Sequence, residues 1–336
     1  MQAPVKVLLR LFKLGCVSFL VLAALALYLL YLAVMPADPE GTRGPVVLEV
    51  PQGASAGQIA RLLEEQKVVP SALVFRLLVR YGGHGGEIRA GHYQLKPSDP
   101  PLRILEHLVR GDTLQRRVTF PEGLTVEGVA EILGREKVCS TSEFLRLART
   151  HGREFGELFP ANLEGYLFPD TYDFPWDCSA REAARIMTGR FREVVVPLWS
   201  SKAPLPLDRS VILASLVERE AQVASERPVI AGVYLNRLAD GMLLQCDATI
   251  QYALGTPKAV LTHRDLELDS PYNSYMHPGL PPGPICCPGK AALQAAMQPK
   301  KSDYLFYVRN DVKGDGSHVF SRTFAEHQRA IDQYQR

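Results

Sequence analysis

Residues 211–247, VILASLVEREAQVASERPVIAGVYLNRLADGMLLQCD, contain the pattern on which the interpretation of the whole chain depends. Apolar residues continue through Val217 on a segment patterned as a helix. Ser225 is a typical N-cap residue, and Pro228 fits the first turn of a second helix that ends by Gly241. The stretch therefore predicts two consecutive helices joined by a corner.

The first of these helices carries two acidic residues near its end, Glu218 and Glu220. At roughly 100° per residue their side chains point about 160° apart, and Glu220 lies beside the stripe that contains Val217. Ala214 and Ala221 flank Glu218 and leave room for a ligand. An apolar pocket can raise a glutamate pKa from about 4.3 to about 6. The pattern predicts Glu218 as a general acid, with a solvated or salt-bridged helix position as the alternative.

The N-terminal segment predicts a membrane anchor. Residues 14–35 form an almost wholly apolar run without charge, which meets the length of about 20 residues that a spanning helix needs. A cleaved signal peptide is the alternative, but the run is longer than a signal core and no clear cleavage site follows it. Cations within 1–13 and the acids Asp38 and Glu40 predict a cytoplasmic N-terminus, a linker over 36–45 and an external remainder.

The remainder of the chain predicts a mixed α+β fold. Residues 46–95 read as strand, helix, helix and strand, and a further helix connects them to residue 115. We therefore expect one small module over 46–115 and a larger domain over 116–336. Within the larger domain, residues 245–252 have a strand-like pattern, and the proline-rich segment 270–289 predicts a long structured loop.

Composition excludes several classes of function. The chain has 38 cations and 36 acids, so no basic excess indicates nucleic acid as a partner. Cys16 lies in the apolar run, and the five remaining cysteines are an odd number, which leaves their pairing open. Cysteine spacing does not match a metal site, and His263, His277 and His318 are scattered without a catalytic motif. We therefore expect neither a metal nor a cofactor.

Polar residues at the end of the opening stretch are candidates for binding a substrate. Gln245, Asp247 and Thr249 form a polar lining, and Asp247 suits the second carboxyl group of a two-carboxylate glycosidase as well as it suits a turn or helix cap. Asn236 and Arg237 are equally suited to contacting substrate and to anchoring the structure through hydrogen bonds.

Four segments in this order resemble one known family. They are LEGYLFPDTY at 163–172, LASLVEREAQVASERPVIAGVYLNRL at 213–238, LQCDATIQYALG at 244–255 and YNSYMHPGLPPGPICCPG at 272–289. Together with the single anchor, they resemble the endolytic murein transglycosylases of the MltG (YceG-like) family, from about residue 46 to the C-terminus. The resemblance implies a LysM-like, glycan-binding module over 46–115 and a YceG-like catalytic domain over 116–336.

Enzymes of this family cut the β-1,4 bond between N-acetylmuramic acid and N-acetylglucosamine inside peptidoglycan strands without water. The resemblance implies that Glu218, the first acid of the L-V-E-x-E segment, protonates the leaving oxygen. Glu218 then acts as base on the C6 hydroxyl of the same muramic acid, and a 1,6-anhydro end forms. Two alternatives stay open: a muramidase in which Asp247 activates water, and a glycan-binding scaffold in which Glu218 is idle.

The same resemblance implies the residues that line the cleft and the partners of the chain. The cleft residues are Gln245, Asp247, Thr249, Tyr272, Asn273 and Tyr275. Cys246 departs from the pattern, because a small hydroxyl residue is expected between Gln245 and Asp247. The implied partners are nascent peptidoglycan strands, the inner (cytoplasmic) membrane as a single-pass anchor and, because the short linker keeps the enzyme near the bilayer, peptidoglycan synthases.

Overall fold

The structure is a computed structural model that describes residues 3–256 and 258–335, with side chains in the first helix from Phe12 onward. The helices are α1 (Ala3–Val34), α2 (Ala56–Glu65), α3 (Ala72–Tyr81), α4 (Pro101–Arg110), α5 (Val126–Arg135), α6 (Thr141–Thr150), α7 (Ala180–Val195), α8 (Leu207–Glu220), α9 (Arg227–Ala239), α10 (Asp247–Leu254), α11 (His263–Leu266), α12 (Lys290–Met297) and α13 (Phe324–Tyr334). The strands are β1 (Val46–Val50), β2 (Gly91–Leu95), β3 (Gln115–Thr119), β4 (Thr171–Pro175), β5 (Phe306–Arg309) and β6 (His318–Ser321).

Helices and short sheets are mixed along the chain, which confirms the α+β prediction. The described strands form two-stranded sheets that pair β1 with β2, β3 with β4 and β5 with β6. The β5–β6 hairpin is antiparallel, and it places Tyr307 opposite Phe320 and Arg309 opposite His318. This register places side chains of β5 beside side chains of β6.

Helix α1 is long and apolar enough to cross a membrane. Its segment Phe12–Val34 has a mean hydropathy of 2.5, and its side chains are exposed rather than packed into a core. Burial in a protein core therefore does not account for its apolar character. Membrane insertion and the orientation of the helix stay predictions.

The chain divides into two compact units. One extends to Arg116 and includes Pro175–Asp177, and the other contains Arg117–Phe174 and Cys178 onward. In the first unit, the order strand, helix, helix, strand that was predicted for 46–95 is present, and β1 pairs with β2 in antiparallel register. These elements share a small core that includes Leu63, Phe75 and Tyr93. The likeness of this unit to LysM stays a prediction.

Helix α8 occupies the centre of the second unit. Every residue over 210–217 is buried, and α8 packs against α9, α10 and α12. Because the middle of α8 is enclosed on all sides, its charged residues are confined to its two ends. The hydroxyl of Ser215, inside this buried run, donates to the carbonyl of Ile212 at 2.7 Å and accepts from the backbone N–H of Ile285 at 3.0 Å. The long loop is thereby fixed to α8.

The predicted N-cap at Ser225 is wrong. Ser225 lies within a short 3-10 turn, Ala224–Glu226, and α9 begins with Glu226 as its N-cap and Pro228 in its first turn. The carboxylate of Glu226 makes no capping bond, because it accepts the backbone N–H of His318 at 3.0 Å and contacts the His318 ring at 2.8 Å. A long-range contact therefore takes the place of the local cap.

The strand-like reading of residues 245–252 is also wrong. Asp247–Leu254 form α10, which ends at Gly255 in the left-handed conformation (φ +69°). The hydroxyl of Thr249 donates to the carbonyl of Cys246 at 2.7 Å, a short-range contact typical of a helix start. Because an eight-residue helix shows little more than two turns of pattern, its period resembled that of a strand.

A buried carboxyl group caps one helix from a distance. The side chain of Glu164 accepts the backbone N–H of Val126, at the start of α5, at 3.2 and 3.3 Å from its two oxygens. The hydroxyl of Tyr252 donates to the same carboxyl group at 3.2 Å. Burial raises the pKa of Glu164 from its ordinary value of 4.5 to about 8. The group therefore binds its proton more tightly in the folded state than in the unfolded chain.

We predict that this carboxyl group makes stability fall as pH rises. Its stabilising contribution is fully present below pH 4.5 and is lost progressively as the pH rises to about 8. Glu164→Gln keeps an oxygen acceptor and cannot ionise, so the variant should lose less stability across this window. Urea unfolding at several pH values between about 5 and 8.5 measures both proteins. Parallel pH dependence of the two proteins would contradict the assignment.

Candidate active site

Helix α8 ends at a half-buried carboxyl group, Glu220. The thiol of Cys246 donates to Oε1 of Glu220 at 3.2 Å, and the hydroxyl of Tyr307 donates to Oε2 at 3.2 Å. The Tyr307 hydroxyl is itself 2.8 Å from the hydroxyl of Tyr234. Burial raises the pKa of Glu220, and the negative charge of Asp247 acts in the same direction. The carboxyl group is therefore suited to hold a proton that an ordinary glutamate would lose.

Glu220 faces a cavity of about 630 Å³. Its walls come from the end of α8, the segment around α10, the β5–β6 hairpin and α13. Side chains that are able to form hydrogen bonds dominate the lining. They include Gln222, Gln245, Asp247, Gln251, Tyr275, Tyr307, Arg309 and His318. A cavity of this size with convergent polar groups fits part of a polar polymer better than a small apolar ligand.

Four of the predicted binding residues meet at this cavity: Arg237, Gln245, Asp247 and Tyr275. The hydroxyl of Tyr275 donates to the carboxylate of Asp247 and thereby fixes its orientation. Gln245 is exposed and adopts a positive φ of 51°, which is uncommon for a residue other than glycine. Such strain is often found at functional sites.

Asn236 and Arg237 anchor the structure, which was one of the two roles considered for them. The side-chain amide of Asn236 donates to the carbonyls of Ser302 and Tyr304, at 2.7 and 2.9 Å. The guanidinium of Arg237 is buried and donates to the carbonyls of Leu305 at 2.6 Å and Leu244 at 3.0 Å. Arg237 therefore both forms part of the cavity wall and holds the segment that leads into β5.

Thr249, Tyr272 and Asn273 are not among the residues that line the cavity. Thr249 and Asn273 are fully buried. The Thr249 hydroxyl is 2.9 Å from that of Ser274, and the amide of Asn273 donates to two carbonyls of the preceding segment at 2.8 and 2.9 Å. The ring of Tyr272 packs against Tyr252, with 4.9 Å between ring centroids. These residues fix the loop that supports the cavity.

Glu218 lies away from this cavity, although the flanking alanines predicted space beside it. Its side chain is 7 % exposed. Oε2 accepts the backbone N–H of Gly289, the N-cap residue of α12, at 2.9 Å, and Oε1 is 3.6 Å from the guanidinium of Arg227 at the start of α9. Ala214 and Ala221 are buried within the core. Glu218 therefore joins the ends of three helices, and its predicted catalytic role stays a prediction.

Glu220, Tyr307 and His318 are among the cavity residues that were not predicted as functional. Glu220 carries a sequence signal, because it lies beside the apolar stripe of α8 that contains Val217 and is therefore directed inward. Tyr307 and His318 lie far along the chain from Glu220, and only the pairing of β5 with β6 brings them to the cavity. The scattered histidine at 318 is thus part of the site wall.

A model of the YceG-like family matches residues 48–333, which is most of the chain. The chain belongs to the YceG-like family. An endolytic murein transglycosylase of Bacillus subtilis is 33 % identical over 308 residues, covering 86 % of this chain and 84 % of the relative. An endolytic murein transglycosylase of Streptococcus pneumoniae serotype 2 is 29 % identical over 322 residues, covering 84 % of this chain and 58 % of the relative.

A solved structure agrees with the family assignment. The crystal structure of a yceG-like protein from Listeria monocytogenes matches with a TM-score of 0.54 and 31 % identity. The match covers 86 % of this chain and 99 % of the Listeria chain. The family resemblance that was predicted from four sequence segments is therefore confirmed.

We predict opposite effects of the two glutamates on stability. Glu218→Ala leaves the N–H of Gly289 and the guanidinium of Arg227 without their acceptor, so the free energy of unfolding should fall by about 1–3 kcal/mol. Glu220→Gln removes a carboxyl group whose raised pKa makes ionisation unfavourable in the folded state. The raised pKa lowers the stability of the parent as the pH rises above the ordinary glutamate pKa. At about pH 8 the variant should therefore be as stable as the parent or more stable.

Urea unfolding of both variants and the parent at one pH measures the difference. A Glu220→Gln protein that is less stable than Glu218→Ala would contradict this division of roles.

Proposed function

We propose that the chain is an endolytic lytic transglycosylase of peptidoglycan. It would cleave the β-1,4 bond between N-acetylmuramic acid and N-acetylglucosamine and leave 1,6-anhydro ends. Family membership and the names of the curated relatives support this activity. The single observation at the site that supports it is a half-buried carboxyl group of raised pKa, Glu220, on the wall of a polar cavity.

We propose Glu220 as the general acid of the reaction. Burial raises its pKa, which is the direction of shift that a general acid requires. Glu220 gives its proton to the glycosidic oxygen as the bond from that oxygen to C1 of muramic acid breaks. The C6 hydroxyl of the same sugar then bonds to C1, and its proton returns to the Glu220 carboxylate. Because the nucleophile belongs to the substrate, the reaction consumes no water and needs no second carboxylate.

Glu218, the residue first predicted for this role, is the competing candidate. Both of its oxygens already face protein groups, the N–H of Gly289 and the guanidinium of Arg227. Donation from Glu218 to a substrate would require these contacts to open. Both oxygens of Glu220 also accept hydrogen bonds, from Cys246 and Tyr307, but Glu220 lines the cavity and Glu218 does not. The geometry therefore favours Glu220, and the two residues are separated by the experiment below.

A hydrolase that depends on Asp247 is the second candidate function. Asp247 lies on the same cavity as Glu220, and its charge contributes to the raised pKa of Glu220. A carboxylate near a general acid is the arrangement that activates water in inverting glycosidases. The hydroxyl of Tyr275 donates to this carboxylate and holds its orientation.

We further propose that the enzyme is a single-pass protein of the cytoplasmic membrane, with its N-terminus in the cytoplasm and its catalytic unit outside. The apolar helix α1 and the charges on either side of it in the sequence support this topology. The strand, helix, helix, strand unit would act as a LysM-like glycan-binding module. Peptidoglycan synthases would be partners, since the linker after α1 is short.

We predict that mass spectrometry of the products identifies both the reaction and the acid. The full-length chain in detergent should release fragments lighter by one water than hydrolysis products from uncrosslinked glycan strands. Glu220→Gln should reduce their rate of formation by at least about 100-fold, because it removes the general acid. Glu218→Gln, the matched control two residues away, should keep most of the activity of the parent.

Other outcomes point to the alternatives. Fragments with reducing ends that disappear in Asp247→Asn would identify a hydrolase. Loss of activity in a folded Glu218→Gln protein, with Glu220→Gln active, would return the catalytic role to Glu218. Cleavage by none of the proteins, with glycan binding retained, would identify a scaffold.

A further inference from the structure

Resting on the proposed function, we propose that Cys246 and Tyr307 are positioning residues that hold Glu220 from its buried side and direct its acidic proton into the cavity. Neither residue was predicted as functional from the sequence. Both contact the proposed acid directly, and they approach different oxygens of its carboxyl group.

The two donors restrict where the acidic proton can lie. The Cys246 thiol occupies one lone-pair direction of Oε1 at 3.2 Å, and the Tyr307 hydroxyl occupies one of Oε2 at 3.2 Å. A protonated carboxyl group carries a single hydrogen, which cannot occupy a direction already taken by an incoming donor. Glu220 also lines the cavity, and we assign the remaining directions to that side. The proton is therefore presented where a substrate would lie.

Both donors are held in place without substrate. The Tyr307 hydroxyl is 2.8 Å from the hydroxyl of Tyr234, which is 1 % exposed on the enclosed helix α9. The two tyrosine rings also meet edge to face, with 6.2 Å between their centroids. The backbone N–H of Cys246 donates to the hydroxyl of Ser274 at 2.9 Å, and Cys246 is 1 % exposed. The arrangement is thus preorganised, as catalysis by a positioned acid requires.

The two donors also set how readily Glu220 ionises. A hydrogen bond to a carboxylate stabilises its charged form, and a thiol is a weaker donor than a hydroxyl. Cys246 therefore stabilises the carboxylate less than serine at the same position would. The balance favours the protonated form that a general acid needs at the start of the reaction.

Other ionisable groups also face Glu220 and must be constant in any comparison. They come from α9, the segment at the start of α10, the long loop and the β5–β6 hairpin, and they are Tyr234, Asp247, Tyr275 and His318. Variants at Cys246 keep all four side chains, so a shift in the titration of Glu220 in them is attributable to the altered donor. Tyr307→Phe also removes the hydroxyl partner of Tyr234, so the two Cys246 variants are the primary comparison.

The test is the pH dependence of kcat/KM for the full-length chain in detergent acting on uncrosslinked glycan strands. Activity should fall at alkaline pH as Glu220 loses its proton. Cys246→Ser supplies a stronger donor and should move this fall to lower pH, whereas Cys246→Ala and Tyr307→Phe remove a donor and should move it to higher pH, each by about half a pH unit. Cys139→Ser, at a half-buried cysteine that does not line the cavity, is the matched control and should leave the profile unchanged.

A purely structural role would lower activity at all pH values without moving the profile. The positioning role is overturned if the alkaline fall stays in place, or if Cys246→Ser and Cys246→Ala move it in the same direction. An infrared titration of the protonated carboxyl group, assigned by its loss in Glu220→Gln, measures the same shift without turnover. This readout separates failure of the positioning role from failure of the proposed reaction, because absence of 1,6-anhydro products from the parent would contradict only the reaction.

Discussion

The placement of two carboxyl groups, one buried and one half-buried, at the end of a helix with an enclosed middle is the constraint on which the site depends. An ionised carboxylate inside a protein is strongly unfavourable unless it meets a cation or several donors, and the C-terminal end of a helix adds a further unfavourable field. Glu218 meets this requirement with a backbone N–H of Gly289 and the guanidinium of Arg227. Glu220 meets it with neutral donors and a raised pKa. One helix end thus carries a glutamate bound by protein groups, Glu218, and the proposed acid, Glu220, at the cavity.

Polar contacts inside the protein hold the walls of the cavity beside Glu220. Asn236 and Arg237 on α9 hold the carbonyls of the segment that enters the β5–β6 hairpin. Thr249 and Ser274 join the start of α10 to the long loop through their hydroxyls. Because each of these buried groups is satisfied by a specific partner, their positions are better defined than apolar packing alone would give. The residues predicted to bind substrate therefore separate into those that line the cavity and those that fix its walls.

Much of the fold was predictable from local sequence. The order strand, helix, helix, strand expected for residues 46–95 agrees with the structure, and the four motif segments identified the family that the comparisons confirm. Whether Glu218 or Glu220 faces the cavity was harder to predict from the sequence. Helical geometry gives the angle between Glu218 and Glu220, but it does not tell which side of the helix is covered by α12 and which by open space. That information resides in contacts with residues about 70 to 90 positions away, Gly289 and Tyr307 among them.

The most direct test of the account is an experimental structure of the full-length Glu220→Gln variant bound to an uncrosslinked peptidoglycan oligosaccharide. Glutamine has nearly the same shape as glutamate, so the substitution should keep the side chain in place while preventing cleavage. The account predicts that the glycosidic oxygen between N-acetylmuramic acid and N-acetylglucosamine lies within about 3.2 Å of the side chain at position 220. It also predicts that Glu218 keeps its contacts with Gly289 and Arg227. A glycan whose scissile oxygen lies against Glu218, outside the cavity that Glu220 lines, would contradict it.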